Sequence, residues 1–145
     1  LILYLDSSSI VKLYVDEEHS AETRRAAEAA DRLAASFIAY VEVKAAFARH
    51  RREQRIRTRQ YQRLSNEFDT DWPEYHALNV TEAVIRAAAD LVSTHALSGY
   101  DAVHLASALS LAAQTPEDLG LSSWDSQLVR AALAEGLSLA HEVTP

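Results

Sequence analysis

The stretch "LILYLDSSSIVKLY", residues 1–14, decides the fold. Leu1 to Leu5 is an unbroken apolar run, the pattern of a strand buried on both faces. It stops at a carboxylate, Asp6, and three serines follow at once. Apolar residues then resume at helical spacing, at Ile10, Leu13 and Tyr14. A buried strand that passes directly into a helix is the opening of a strand–helix–strand unit, and such units build parallel sheets. Asp6 therefore falls at the carboxyl end of a strand. A helix N-cap explains a carboxylate there; so does a site.

The alternation continues along the chain. Residues 8–15 read as a short helix and 20–31 as an Ala-rich one, with Ser20 as its N-cap. "RLAAS", residues 32–36, is a second strand, and Ser36 caps a long helix over 37–54. A further helix over 58–72 ends before Pro73, because the residue before proline avoids helical angles. "YHALNV", residues 75–80, is a third strand. Thr81 caps a helix whose apolar residues recur at 84, 85, 88, 91 and 92, and Gly99 ends that run. Residues 101–114 form another helix, 120–124 ("GLSSW") a short strand, and 125–135 a helix stopped by Gly136. "LSLAHEV", residues 137–143, closes the chain as an edge strand. Strands alternating with helices, joined by right-handed crossovers, predict an α/β fold. Its mostly parallel central sheet of about five strands carries helices on both faces, in one domain over residues 1–145.

Composition narrows the chemistry. The chain has no cysteine, so disulfides, thiol nucleophiles and thiolate metal sites are excluded. Any metal must use oxygen or histidine ligands. Three glycines cannot supply a G-x-G-x-x-G or a Walker loop. No apolar stretch approaches the roughly 20 residues of a membrane span. The first residues lack the basic flank of a secretory signal, and a cytoplasmic protein is expected. The net charge of −7 conceals an uneven distribution. Arg49, Arg51, Arg52, Arg55, Arg57, Arg59 and Arg63 share a window with one acid, Glu53. The protein carries a basic arm on an acidic body, which is either a solvated helix face or a surface for polyanions.

Ligands of open parallel sheets bind beyond the carboxyl ends of the strands. Asp6 and Asp125 fall there, and Asp101 begins a helix after a turn. Each is explained singly by capping and by the helix dipole. Glu42 is not. It lies in the second turn of its helix, with Ile38, Ala39, Ala45 and Ala46 one turn away, on an apolar stripe where an unpaired charge is costly. It needs a cation, a hydrogen-bond donor or a raised pKa. Carboxylates brought together repel one another, and a divalent metal removes that repulsion. His104, three residues after Asp101, reads as a ligand, a proton donor or, most simply, a packed residue with one nitrogen satisfied. Ser8 and Ser123 each lie two residues from an acid and are placed to steady a carboxylate or a bound water.

"LDSSSIVKLYVDEEHS", "AYVEVKAAFAR", "SGYDAVHLASAL" and "SSWDSQLVRAA" together resemble the successive blocks of PIN-domain ribonucleases, most closely the VapC-type toxins of toxin–antitoxin pairs. The resemblance runs the length of the chain and implies a three-layer α/β/α PIN-like fold. It implies an acidic quartet at Asp6, Glu42, Asp101 and Asp125, with Ser8 and Ser123 as supporting hydroxyls. It further implies Mg²⁺- or Mn²⁺-dependent endoribonuclease activity by water attack, a cognate antitoxin partner and a homodimer. One departure is Trp124, before Asp125, which either narrows substrate access or serves packing. Arg49, Arg52, Arg59 and Arg63, near one helical face, are expected to guide RNA through its phosphates. Two rival readings are a phosphoryl-transfer enzyme or receiver with Asp6 as nucleophile, and a non-catalytic RNA-binding PIN module. The first lacks the expected second acid, because Ser8 stands there, and a late lysine, since Lys12 and Lys44 are both early. The second leaves four costly acids without use.

Overall fold

Five strands form one sheet in the computed structural model, which describes residues 1–141. They are β1 (Ile2–Leu5), β2 (Arg32–Ser36), β3 (His76–Leu78), β4 (Leu119–Ser122) and β5 (Ser138–Leu139). Their order is β3-β2-β1-β4-β5, and every pairing is parallel. β1 is central, and its four residues are fully buried. Successive side chains of a strand point to opposite faces. Ile2 and Tyr4 accordingly join one core, and Leu3 and Leu5 join the other.

Seven helices cover the sheet among the described residues: α1 (Ser7–Tyr14), α2 (Ser20–Ala29), α3 (Ile38–Arg52), α4 (Thr58–Asp71), α5 (Glu82–Thr94), α6 (Gly99–Gln114) and α7 (Ser126–Ala134). Ile10, Val11, Ala39, Val43, Phe47, Leu64 and Phe68, from α1, α3 and α4, pack under Leu3 and Leu5. Val84, Ala88 and Leu91 of α5, the buried run of α6, and Leu128 and Ala132 of α7 pack under Ile2 and Tyr4. The three-layer α/β/α expectation holds. α6 is buried nearly all round, from Ala102 through Ala108, as a helix at the middle of a layer must be. No helix among the described residues is long and apolar enough to cross a membrane.

Several boundaries differ from the sequence reading for local reasons. Ser20 is the first residue of α2, and His19, in left-handed conformation, takes the cap position. The Ser20 hydroxyl instead ties the preceding turn, donating to the Val15 carbonyl (2.8 Å) and accepting from the Glu17 amide (3.0 Å). α4 stops at Asp71, but Trp72 keeps helical angles and Pro73 sits inside a 3₁₀ turn, Trp72–Glu74. Proline is tolerated at a helix start, where its missing N–H is not needed. Gly99 does not end α5, which stops at Thr94; it opens α6, capped by Ser98. Thr81 caps α5 and Gly136, with φ 89°, follows α7, both as read. β4 is shorter than "GLSSW", and β5 is only two residues long. Residues 142 and 143 of "LSLAHEV" lie outside the described residues.

An aromatic cluster that periodicity alone did not single out anchors α4. The fully buried Phe68 ring has its centroid 5.5 Å from those of Tyr14 and Trp72, 5.6 Å from that of Tyr40 and 6.2 Å from that of Phe47. Phe68→Ala is expected to destabilise the protein by about 3–5 kcal/mol, through lost burial and a residual cavity, read as a lowered urea midpoint.

Candidate active site

Strand order reverses between β1 and β4: the chain builds outward from β1 through β2 to β3, then returns to place β4 and β5 on the other side. Such a reversal splays the connections and opens a crevice at the carboxyl ends of the strands. Asp6 leaves β1 and Asp125 follows β4 at this point.

Asp6 is buried, and it does cap α1. Its Oδ1 accepts from the Ser9 amide (2.9 Å) and from the Ser8 hydroxyl (3.0 Å). Asp125 caps α7 in the same way, its Oδ1 accepting from the amides of Gln127 (3.0 Å) and Leu128 (2.9 Å). Asp101 is not a cap. It is the third residue of α6, and its own amide donates to Ser98 Oγ (3.2 Å). Burial raises the Asp101 carboxyl pKa above the usual aspartate range, and repulsion from Asp125 and Asp6 adds to this against an opposing contact from Ser98. Three carboxylates from three elements thus feel one another.

Glu42 lies at the margin of α3's buried stripe rather than inside it. Ala39, Val43, Phe47 and His50 are the buried positions, and the Glu42 side chain is 29% exposed. The partner it needed is a pair of donors. Ser7 Oγ donates to Glu42 Oε1 at 2.7 Å, and His104 Nε2 lies 2.8 Å from the same oxygen. Partial burial raises the Glu42 pKa, but the His104 and Ser7 hydrogen bonds outweigh it and hold the carboxyl below the usual glutamate range. His104 is almost fully buried with both ring nitrogens engaged, Nδ1 lying 3.1 Å from the Tyr4 hydroxyl.

Asp6, Ser7, Ser8, Glu42, Arg49, Asp101 and His104 line one cavity of about 340 Å³. Asp125 stands outside its lining and acts on Asp101 through charge. A larger cavity of about 610 Å³, between α5 and α6, contains none of the four acids. Ser123 is buried, and its hydroxyl accepts from the Asp125 amide (3.2 Å), so it steadies the backbone of that loop. Ser7 and Tyr4 are the residues that sequence reasoning missed. Ser7 was one of three serines after Asp6, of which only Ser8 was given a role, and Tyr4 was one apolar residue of a core strand.

The donor set fits a hard divalent cation. Its free groups are carboxylate oxygens, and the mutual repulsion around Asp101 is a local shortage of positive charge. Among the described residues, no three acids or histidines converge closely enough to form a closed cage.

The basic window divides between two helices. Arg49 and Arg52 lie at the end of α3, and Arg59 and Arg63 on α4 beyond a turn through Gln54, whose φ is 59°. Only Arg49 reaches the acidic cavity. Arg63 lies 3.7 Å from Glu67 on an exposed face. Trp124 serves packing. Its indole is stacked between His19 and His141, with both centroid separations 3.8 Å and planes within 5°, and its Nε1 donates to Thr23 Oγ1 (2.9 Å).

The parallel-sheet fold that carries this site is shared with known proteins. The model of the PIN domain matches residues 3–115, and the chain belongs to that family. Two curated relatives, Ribonuclease VapC45 and Ribonuclease VapC49 from strains of Mycobacterium tuberculosis, are each 32% identical over 139 residues, spanning 96% of this chain and 94% of theirs. Within the family the chain therefore groups with the VapC type. Among solved structures, FitAcB from Neisseria gonorrhoeae matches with a TM-score of 0.72 at 15% identity, covering 96% of both chains. A toxin–antitoxin complex from Klebsiella pneumoniae matches at 0.70 and 17%, covering 97% of this chain and 99% of that one. The sarcin–ricin loop cleaving toxin VapC20 of M. tuberculosis matches at 0.65 and 16%, covering 99% of both.

A carboxyl whose pKa is higher in the folded than in the unfolded state favours folding below the unfolded value, about 3.9, and loses that contribution as pH rises through the folded value. Asp101→Asn is therefore expected to stabilise the metal-free protein at neutral pH, with the gain disappearing near pH 3, as read by thermal unfolding across pH.

Proposed function

We propose that this chain is an endoribonuclease of the toxin–antitoxin type that hydrolyses RNA with Mg²⁺ or Mn²⁺. Asp6, Glu42, Asp101 and Asp125 would hold the ion, directly or through water, in one domain spanning residues 1–145. The observation that carries this reading is the convergence of Asp6, Glu42 and Asp101 on one cavity that also holds Arg49. The ribonuclease names of the two curated relatives support it. A bound divalent ion lowers the pKa of water and offsets charge that develops on a phosphate. Glu42, held ionised, offers an acceptor for the proton of an attacking water. Asp6 and Asp125 are fixed by their caps, so they present themselves without reorganising. Arg49 supplies a cation beside the acids for a substrate phosphate. Hydrolysis of this kind leaves a 5′-phosphate and a 3′-hydroxyl. No histidine or cysteine nucleophile is required.

The cognate antitoxin would occupy the acidic crevice, and toxin–antitoxin assemblies among the fold neighbours support that partner. A homodimer would use the apolar face where Ile85 and Val92 of α5, Val80 and Tyr100 are exposed around a cavity of about 460 Å³. The cytoplasm is the proposed location.

Cleavage of total RNA by the purified chain is expected with Mg²⁺ or Mn²⁺ and to cease in EDTA. Asp6→Asn and Glu42→Gln should each lower the rate by about 100-fold or more; cleavage equal to wild type refutes the assignment. Arg49→Glu is expected to raise the RNA dissociation constant and to reduce the slope of log affinity against log salt by about one. An unchanged slope would remove Arg49 from the RNA surface.

A further inference from the structure

Three acids of the candidate site share a feature that their spacing did not announce: one oxygen of each is already tied to donors. Asp6 and Asp125 use Oδ1 for the first-turn amides of their helices. Glu42 uses Oε1 for Ser7 and His104. Among the described residues, no hydrogen bond reaches Oδ2 of Asp6, Oε2 of Glu42 or Oδ2 of Asp125. For the two aspartates this follows from capping. For Glu42 it requires two side chains from two other elements, Ser7 on α1 and His104 on α6.

The orientation of His104 is itself controlled. Its ring is almost fully buried, and its Nδ1 faces the hydroxyl of Tyr4, a residue of the central strand with no exposed surface. An Nε2-to-Oε1 separation of 2.8 Å needs a proton between the two atoms. A carboxylate oxygen that accepts from both Ser7 and Nε2 cannot also enter a cation's shell without losing those bonds.

We infer that Ser7 and the Tyr4–His104 pair are positioning residues that limit Glu42 to one working oxygen, and that they thereby set the site against Ca²⁺ and in favour of smaller six-coordinate cations. Calcium accepts carboxylates through both oxygens and takes up to eight ligands, whereas Mg²⁺ demands near-octahedral geometry and retains water. Closing Oε1 removes the two-oxygen mode from Glu42. This rests on the metal-dependent reading of the site, and it adds to that reading which residues tune the metal preference.

The test uses the metal-free full chain, with Mn²⁺ binding followed by electron paramagnetic resonance and Ca²⁺ as competitor. Wild type should bind Mn²⁺, lose it in Glu42→Gln, and resist displacement by Ca²⁺. Ser7→Ala combined with His104→Leu should weaken Mn²⁺ by about 10–100-fold, the usual effect of losing a ligand's support, and narrow the Mn²⁺-to-Ca²⁺ preference about tenfold. His104→Gln, which returns a donor near the position of Nε2, should restore much of both. Long-range ¹H–¹⁵N spectra of wild type should show a proton on His104 Nε2; a bare Nε2 overturns the inference. That measurement and the Ser7→Ala single variant decide the matter should the double variant fail to fold, as judged by circular dichroism. Wild type that binds no Mn²⁺ overturns both this inference and the metal-dependent reading. Wild type that binds through Glu42, with a folded double variant of unchanged affinity and unchanged Ca²⁺ discrimination, overturns this inference alone.

Discussion

Carboxylates that share a crevice must be held in place by donors that the fold supplies. That constraint organises the molecule. The strand-to-helix transition after β1 gives Asp6 the amide of Ser9 and the hydroxyl of Ser8. The transition after β4 gives Asp125 two amides. Glu42 comes from the body of a helix, where no free amides exist, and it draws its donors from α1 and α6 instead. Asp101 has the least support, and its pKa is raised first by burial and then by repulsion from Asp125 and Asp6. Desolvation and like-charge repulsion thus act together at the acid whose surroundings do least to offset them.

Much of the scaffold was legible because the pattern is physically direct. An apolar run ending in a polar turn and a helix can be satisfied only by a parallel, doubly covered sheet. The boundaries were less legible. Ser20 looked like a cap, yet a serine hydroxyl is equally at home tying the turn before a helix. Asp101 was read as the start of α6 and Gly99 as the end of α5, whereas Ser98 caps α6 and both residues lie in its first turn. At the site, Asp6 was visible from its position and Glu42 from its discomfort. Ser7, Tyr4 and the full role of His104 were not visible. Their contacts span 35 to 100 residues of chain, and nothing local in a serine, a core tyrosine or a buried histidine distinguishes them.

The basic arm shows the opposite error. Seven arginines in one window looked like one surface, but three lie on α3, two on the connection through Gln54 and two on α4. Arg51 stacks on the Tyr61 ring at 4.2 Å and Arg63 turns toward Glu67. Charge density along a chain is therefore a poor guide to charge density in space once a helix ends inside the window. Of the two readings open for Trp124, packing is the one the structure favours, because histidines close both of its faces.

The all-round burial of α6 has a consequence for how this protein can change over evolutionary time. The helix that carries Asp101 and His104 has no free flank on which to absorb a substitution from Ala102 to Ala108. A larger side chain at any of those alanines would move the helix as a rod, and the displacement would arrive at its first turn. α3, by contrast, presents Ala45 and Arg49 to solvent along the same crevice. Variation that leaves the acids in register is therefore confined to one wall. Relatives that diverge in what they recognise have room to do so on α3 while α6 stays fixed.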